Sequence, residues 1–201
     1  MVGSAIIYKS PRLYSIAIKL LHFGGFKKVK EVIGERKKVF EPACGFGRLY
    51  KYLYPSCSYS GIDINEKFIN FGKKNGLNIR TGNIFDERNY VESDIIILCD
   101  ILHHLKISDI KKLVLIATKF AKEKIVIMEP AFVGVAAGKG LFSRLSAKVF
   151  AKVDFDGVNQ IENWFTMQSY HKLFNYLKSA NNFTNMKIQL FNRYCLVELV
   201  F

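Results

Sequence analysis

A strand that runs into a glycine-containing turn is the first feature of this sequence that could bind a ligand. Glu41 ends an apolar stretch, and Ala43, Gly45 and Gly47 follow at alternate positions before a helical segment begins. Glycine lets the backbone approach a ligand closely, so such a loop can cradle a ligand at the start of a helix. The dinucleotide-binding pattern GxGxxG requires a third glycine where this chain has Tyr50, a side chain that would crowd a pyrophosphate. This departure argues against a dinucleotide site such as that of an NAD-dependent oxidoreductase.

An acidic residue at the end of a second apolar stretch indicates a nucleoside ligand. Asp63 closes the segment Tyr59–Ile62, and a carboxylate at that place can accept hydrogen bonds from both hydroxyls of a ribose. Nucleotide-binding domains of several classes share this geometry, so Asp63 predicts an adenosine-containing ligand without choosing among them. The alternative is an aspartate that caps the helix that follows.

Two adjacent histidines follow a third apolar stretch, which ends at Asp100. Ligands of open parallel sheets bind at the carboxyl ends of the strands, so Asp100, His103 and His104 are expected to face the ligand. A histidine titrates near neutral pH and can remove a proton from a substrate, and we rank His104 first and His103 second for this role. The alternative is that both pack under a loop. Adjacent histidines without a cysteine or acid cluster lack the spacing of a zinc site, so no metal is predicted.

The elements that must position these residues follow from the alternation of short apolar stretches with amphipathic ones, which is typical of a parallel sheet built from β-α units. The pattern predicts five strands, at Val39–Glu41, Tyr59–Ile62, Asn78–Arg80, Asp94–Cys99 and Ile125–Met128. It predicts helices at Tyr14–Phe23, Phe26–Val32, Leu49–Tyr54, Asn65–Asn75, Ser108–Ala121 and Met167–Lys178, with Ser108 as a cap. Residues 186–201 predict two strands joined near Asn192. The predicted fold class is α/β, a doubly wound, mostly parallel seven-stranded sheet with helices on both faces and a C-terminal antiparallel hairpin.

Five segments between residues 39 and 130 resemble, in order, the motifs of the class I S-adenosylmethionine (SAM)-dependent methyltransferases. The first motif of that family is an acidic residue at a strand end followed by xGxGxG, and Glu41, Ala43, Gly45 and Gly47 hold the corresponding positions. The resemblance implies that this loop binds the amino-acid end of SAM. The fifth segment ends in an acid and a proline, which the resemblance places near the methyl acceptor.

The resemblance also implies where the adenine ring binds. Asn83 stands where the family has an acidic residue that binds the adenine amino group, and its side-chain oxygen can still accept that hydrogen bond. Ile84 would pack on the ring. The implied cofactor-binding residues are Glu41, Ala43, Gly45, Gly47, Asp63, Ile64, Asn83, Ile84 and Asp100.

The charge of the chain is strongly positive and unevenly distributed. Lys and Arg total 30 against 17 Asp and Glu. Residues 1–38 carry nine basic and two acidic side chains, whereas residues 39–130 carry thirteen and eleven. Basic ends can meet an anionic partner, or they can be a solvated lysine-rich surface. Four scattered cysteines, no signal-peptide pattern and no long apolar run lead us to expect a cytoplasmic protein.

We expect a single domain over residues 1–201. In it, residues 1–37 form N-terminal helices, 38–130 the cofactor-binding core, 131–171 a lid and acceptor wall, and 172–201 the last helix and closing hairpin. The lid carries apolar and basic side chains that fit a lipid-like substrate or peripheral membrane contact, although core packing is the more common use of such a stripe. Within it, we hypothesise that Asp156, Trp164 and Tyr170 contact the acceptor.

The predicted function is methyl transfer from SAM to a small-molecule or lipid-like acceptor, which can be anionic. Nucleic acid is not favoured, because the sequence shows neither an RNA-binding module nor the motif tied to base-nitrogen methylation. An RNA methyltransferase, an NAD-dependent oxidoreductase and a non-catalytic partner protein with a methyltransferase fold remain as alternatives. The sequence leaves the oligomeric state open.

Overall fold

The computed structural model describes residues 25–130, 167–180, 183–191 and 194–201. The α-helices in these ranges are α1 (Gly25–Ile33), α2 (Glu66–Lys74), α3 (Ile107–Phe120) and α4 (Met167–Ala180). The strands are β1 (Lys38–Pro42), β2 (Ser58–Asp63), β3 (Ile79–Thr81), β4 (Ser93–Cys99), β5 (Ala121–Pro130), β6 (Asn185–Phe191) and β7 (Tyr194–Val200). Short 3₁₀ turns occupy Arg48–Tyr52, Glu87–Asn89 and Leu102–His104.

The strands form one seven-stranded sheet in the order β3-β2-β1-β4-β5-β7-β6. The first five strands of the chain pair in parallel, and β7 lies antiparallel between β5 and β6. The predicted α/β class, the five parallel strands and the closing antiparallel hairpin are all confirmed. The strand order reverses between β1 and β4, and such a switch point opens a crevice at the carboxyl ends of the strands.

The position of β4 at the centre of the sheet explains why its sequence is apolar without alternation. Ile95, Ile96, Ile97 and Leu98 are all fully buried. Ile96 and Leu98 pack into one apolar cluster with α3 and α4, whereas Ile95 and Ile97 pack into a second cluster with α1 on the other face. A strand covered on both faces needs apolar residues at every position, as the sequence predicted.

Two helix predictions are corrected by the structure. Ser108 is not a cap, because α3 begins one residue earlier and the carbonyl of Lys106 already accepts from the N–H groups of Asp109 and Ile110. The segment expected as a helix at Leu49–Tyr54 is a 3₁₀ turn, Arg48–Tyr52, followed by an extended Leu53. The proline at position 55 restricts the preceding residue to extended backbone, which leaves no room for a longer helix.

Some predictions fall on residues that the structure does not describe. The helix at Tyr14–Phe23, the segment 131–166 and its side chains Asp156 and Trp164 all lie outside the described residues. The division of the chain into a core, a lid and terminal elements therefore stays a prediction. Within the described ranges, no helix combines the length and the apolar character needed to cross a membrane.

Gly72 sets how closely α2 approaches the sheet edge and the glycine loop. A Cβ atom added at Gly72 would lie 2.3 Å from Cδ1 of Ile79 and 2.8 Å from the carbonyl oxygen of Phe46. The first contact can relax by a side-chain rotation, but the second requires the backbone to move.

We therefore predict that Gly72→Ala destabilises the protein by about 1–3 kcal/mol through overpacking. Helix propensity alone predicts the opposite sign, a gain of about 0.5–1 kcal/mol for Gly→Ala in a helix. The measurement is the free energy of unfolding in urea. Asn70→Ala, at an exposed position of the same helix, is the control and should not destabilise. A stabilised Gly72→Ala protein would contradict this packing.

Candidate functional site

The loop after β1 holds three residues in left-handed backbone conformation. Ala43, Gly45 and Gly47 have φ angles of 59°, 56° and 77°. Glycine adopts these angles freely, whereas for Ala43 the same conformation costs roughly 1–2 kcal/mol. At Gly47 the φ angle alone favours glycine, and an added Cβ would also require the Leu77 side chain to move, since it would lie 2.5 Å from Cδ1 of Leu77. The alternation seen in the sequence is therefore a geometric requirement of the turn.

Asp63 at the end of β2 ties this loop to the neighbouring strand. Its Oδ2 accepts from the N–H of Gly45 at 2.8 Å, and its Oδ1 accepts from the N–H of Asn65 at 2.7 Å. Burial raises the pKa of this carboxyl, and the backbone donors oppose that rise. The cap of α2 is Asn65, whose side chain accepts from the N–H groups of Lys67 and Phe68. Asp63 is therefore not the helix cap that the alternative proposed.

Glu41 is buried at the end of β1, beside two other carboxyl groups. It is 4% exposed, and its carboxylate accepts a hydrogen bond from the hydroxyl of Tyr59. Burial raises the pKa of Glu41 to about 8, the Tyr59 hydrogen bond opposes the rise, and the charges of Asp100 and Asp63 add to it. A cation placed among these groups would favour their ionised forms.

Asp100, after the end of β4, is the third carboxyl group of this region. Its φ of 52° is left-handed, as at Ala43 in the loop after β1, and its N–H donates to the carbonyl of Met128 at 2.9 Å. Strained backbone of this kind persists where the surrounding structure holds it, and it is concentrated at functional sites.

One cleft lies where the loops after β1 and β4 meet. It is lined by Phe26, Glu41, Ala43, Cys44, Gly45, Phe46, Arg48, Leu49, Cys99 and Asp100. Four of the residues predicted from the sequence line it: Glu41, Ala43, Gly45 and Asp100. Gly47 and Asp63 are not among its lining residues, but Asp63 accepts from the N–H of Gly45, which is.

Arg48 lines the same cleft and was not predicted. Its Nη1 atom is buried without a hydrogen-bond partner among the residues that the structure describes. Its Cζ lies 5.2 Å from the centroid of the Phe26 ring, which holds the guanidinium against α1. A buried guanidinium nitrogen needs an acceptor, and a carboxylate is the acceptor it matches best. The signal in the sequence was an arginine directly after the last glycine of the loop.

The loop after β3 carries the residues expected to meet adenine. The side-chain oxygen of Asn83 accepts from the N–H of Phe85 at 2.9 Å, and the Asn83 side chain is exposed. Ile84 is half-buried, while Ile64 after β2 is 78% exposed. These three residues do not line the cleft at Arg48, and their roles stay predictions.

The two histidines lie in the 3₁₀ turn after β4, where Glu129 from β5 organises the backbone. One Glu129 oxygen accepts from the N–H groups of Ile101 and Leu102, both at 2.7 Å. The other lies 2.7 Å from Nδ1 of His103. The rings of His103 and His104 have centroids 3.9 Å apart, and both residues are buried. Glu129 therefore sets the orientation of His103 directly.

Similarity to known proteins appears in structure rather than in sequence. No family model matches the chain, and no curated protein matches it significantly. An O-methyltransferase family protein from Burkholderia thailandensis matches with a TM-score of 0.67 over 94% of this chain at 17% identity. Human N-acetylserotonin methyltransferase, solved in complex with SAM, matches with 0.69 over 96% at 19% identity. The plantazolicin methyltransferase BamL, solved with S-adenosylhomocysteine (SAH) and a substrate analogue, matches with 0.65 over 96% at 13% identity.

The chain has the class I methyltransferase fold. It spans 58% and 57% of the length of the first two structures and 92% of the third. The resemblance drawn from the five sequence motifs is thus confirmed at the level of the fold. The cleft lined by Glu41, Ala43, Gly45 and Asp100 lies at the ends of β1 and β4, the switch point of the sheet.

The raised pKa of Glu41 predicts a pH dependence of stability. The unfolded chain releases this proton near the ordinary value of 4.5, whereas the folded protein keeps it to about pH 8. Between these values the folded state binds more protons, so the contribution of Glu41 to the free energy of unfolding falls as pH rises. The slope is at most about 1.4 kcal/mol per pH unit, and it ends above the folded pKa.

Glu41→Gln keeps an acceptor for Tyr59 and removes the titration. We predict that the variant gains stability relative to wild type as pH rises from 5 to 8, measured by urea unfolding at each pH. Glu35→Gln, at an exposed position, is the control and should track wild type. A stability difference between Glu41→Gln and wild type that does not change with pH would show that Glu41 is already ionised when folded.

Proposed function

We propose that this chain transfers a methyl group from SAM to a small-molecule or lipid-like acceptor. The observation that supports the cofactor most directly is the chemistry of the cleft. Glu41 and Asp100 line it beside Arg48, whose Nη1 atom is buried. The methionine end of SAM carries an ammonium, a carboxylate and a sulfonium. The acidic side chains of the cleft would match its two cationic groups, and Arg48 would match its carboxylate.

The remaining contacts follow from the strand ends. Arg48 would hold the carboxylate, Glu41 and Asp100 would accept from or attract the cationic groups, and Asp63 would accept from the ribose hydroxyls. Asp63 already accepts two backbone N–H groups, and a carboxylate has about four acceptor positions. Ala43, Gly45 and Gly47 let the backbone approach the ligand. Tyr50 at the third glycine position disfavours a pyrophosphate ligand such as NAD.

When bound, SAM would supply a methyl group attached to a sulfonium sulfur, with the neutral thioether SAH as the leaving group. The protein's part is then to position the acceptor, exclude water and take up a proton where the acceptor is a hydroxyl. We assign the Nδ1–H tautomer to His103 because the Glu129 carboxylate, 2.7 Å away, is an acceptor; Nε2 of the neutral ring then carries no proton and can act as the base. The sequence ranked His104 first; because the Glu129 carboxylate orients the His103 ring, we propose His103 as the base.

Tyr170 supports an acceptor site on this side of the sheet. It is fully buried in α4, and its ring lies 5.8 Å from that of Phe174. Burial and the nearby negative charges of Glu129 and Asp100 raise its pKa well above the ordinary value. The same charges act on Tyr194 in β7. We propose that Tyr170 contributes a neutral phenol to the acceptor pocket on the face covered by α3 and α4, whereas Tyr194 packs in the apolar cluster of the other face.

The test is methyl transfer from radiolabelled SAM to a panel of phenols, carboxylic acids, lipids and RNA. With an accepted phenol, we predict that His103→Asn lowers kcat roughly 10²- to 10⁴-fold while the affinity for SAH stays unchanged. His104→Asn should cost less than about tenfold. Glu129→Gln should lower kcat in the same direction as His103→Asn, since it removes the orienting carboxylate.

Each variant is checked by its melting temperature, because Glu129 also holds backbone groups. If His104→Asn abolishes transfer and His103→Asn does not, the base is His104 and the Glu129 contact is structural. Transfer to RNA alone would replace the proposed acceptor class, and SAH binding without transfer to any acceptor would favour a non-catalytic partner protein.

A further inference from the structure

The loop between β3 and β4 is closed by contacts between side chains at its two ends. Arg80 Nη1 donates to Oδ1 of Asn89 at 3.0 Å, and Arg80 Nη2 donates to the carbonyl of Asn89 at 2.8 Å. Asn89 Nδ2 then donates to the carbonyl of Asn83 at 3.2 Å. Asn89 thus connects the strand before the loop to the peptide that follows Asn83.

Gly82 allows this closure. A Cβ added there would lie 3.0 Å from Cγ of Asn89 and 3.2 to 3.3 Å from its amide oxygen and nitrogen. Its φ is not left-handed, so the requirement for glycine is the close approach of Asn89 rather than backbone conformation. The contacts among Arg80, Asn89 and the carbonyl of Asn83 are called the clamp below. The N–H of Gly82 donates to the carbonyl of Asp63 at 3.0 Å, which places the clamp next to the proposed ribose site.

A second side chain fixes the next peptide of the loop. The hydroxyl of Tyr90 donates to the carbonyl of Ile84 at 2.7 Å. The carbonyl of Asn83 accepts from the Asn89 side chain and from the N–H of Asp86 at 3.1 Å, and the carbonyl of Ile84 accepts from the Tyr90 hydroxyl. Both peptides keep their orientation before any ligand binds.

We propose that Asn89, held by Arg80, is a positioning residue for the adenine end of the cofactor. The proposal rests on the proposed function, in which Asn83 and Ile84 meet the adenine ring. Its physical basis is preorganisation: a loop already fixed in its bound conformation loses less conformational entropy on binding. Removing Asn89 deletes no group that would contact the ligand, so it lowers affinity by giving the peptide after Asn83 more conformational freedom.

The experiment compares two ligands that differ in the adenine ring, SAH and S-ribosylhomocysteine. Asn89→Ala should raise the Kd for SAH about fivefold to tenfold, the effect of one or two lost hydrogen bonds. The Kd for S-ribosylhomocysteine, measured by calorimetry at millimolar concentration, should change less than twofold. Arg88→Ala is the control, because Arg88 pairs with Asp86 in the same loop and does not contact Asn83 or Ile84.

A double-mutant cycle measures whether the effects of Gly82→Ala and Asn89→Ala on SAH affinity are coupled. A general loss of structure would not produce this coupling. Gly82→Ala should weaken SAH binding about fivefold in the wild-type background, because its methyl group displaces the Asn89 amide. In the Asn89→Ala background the same change should cost less than twofold. Equal costs in both backgrounds would overturn the proposal, as would equal losses for the two ligands.

The failure of this proposal is distinguishable from that of the proposed function. If wild type binds SAH and Asn89→Ala binds it equally well, the clamp has no positioning role and the cofactor assignment stands. If wild type does not bind SAH at all, the cofactor assignment fails and the clamp proposal with it.

Discussion

Carboxylates at the ends of parallel strands hold the loops of this protein through their backbone N–H groups. Asp63 at the end of β2 accepts from Gly45 in the loop after β1, and Glu129 in β5 accepts from Ile101 and Leu102 in the loop after β4. Hydrogen bonds from backbone N–H groups to a carboxylate are strong and offset the cost of burying it. Each carboxylate therefore joins two neighbouring strand ends, and together they fix the edge of the sheet at which the cleft lies.

Glu41 lies at the same edge but has a different environment. Its hydrogen-bond partner is the Tyr59 hydroxyl rather than a pair of backbone N–H groups, and its pKa is raised by burial and by the charges of Asp100 and Asp63. The carboxyl groups of Asp100 and Asp63 thus disfavour the ionised form of Glu41. A ligand with positive charge relieves that repulsion, whereas an anionic ligand would increase it, except beside Arg48.

The fold and the cofactor loop could be predicted because they depend on local pattern. Buried strands such as β4 need apolar residues at every position, and the turn after β1 needs glycine or a strained Ala43, so both leave a mark in the sequence. Arg48 and Glu129 left a weaker mark, since their roles depend on contacts made across the sheet. The clamp at Asn89 could not be predicted, because Arg80, Gly82 and Asn89 form no recognisable sequence pattern and come together only in the folded loop. Ser108 was misassigned because a capping residue type sat one position inside a helix that starts without a side-chain cap.

The account depends on the cleft at the ends of β1, β2 and β4 binding an adenosyl sulfonium or its thioether. The most direct measurement is calorimetric titration of the purified chain and of Asp63→Ala with SAH and with NADH, with circular dichroism to confirm that both proteins are folded. We predict micromolar binding of SAH to wild type, at least tenfold weaker binding to folded Asp63→Ala, and no binding of NADH. Binding of NADH without SAH, or SAH binding that Asp63→Ala leaves unchanged, would contradict the assignment of the cleft.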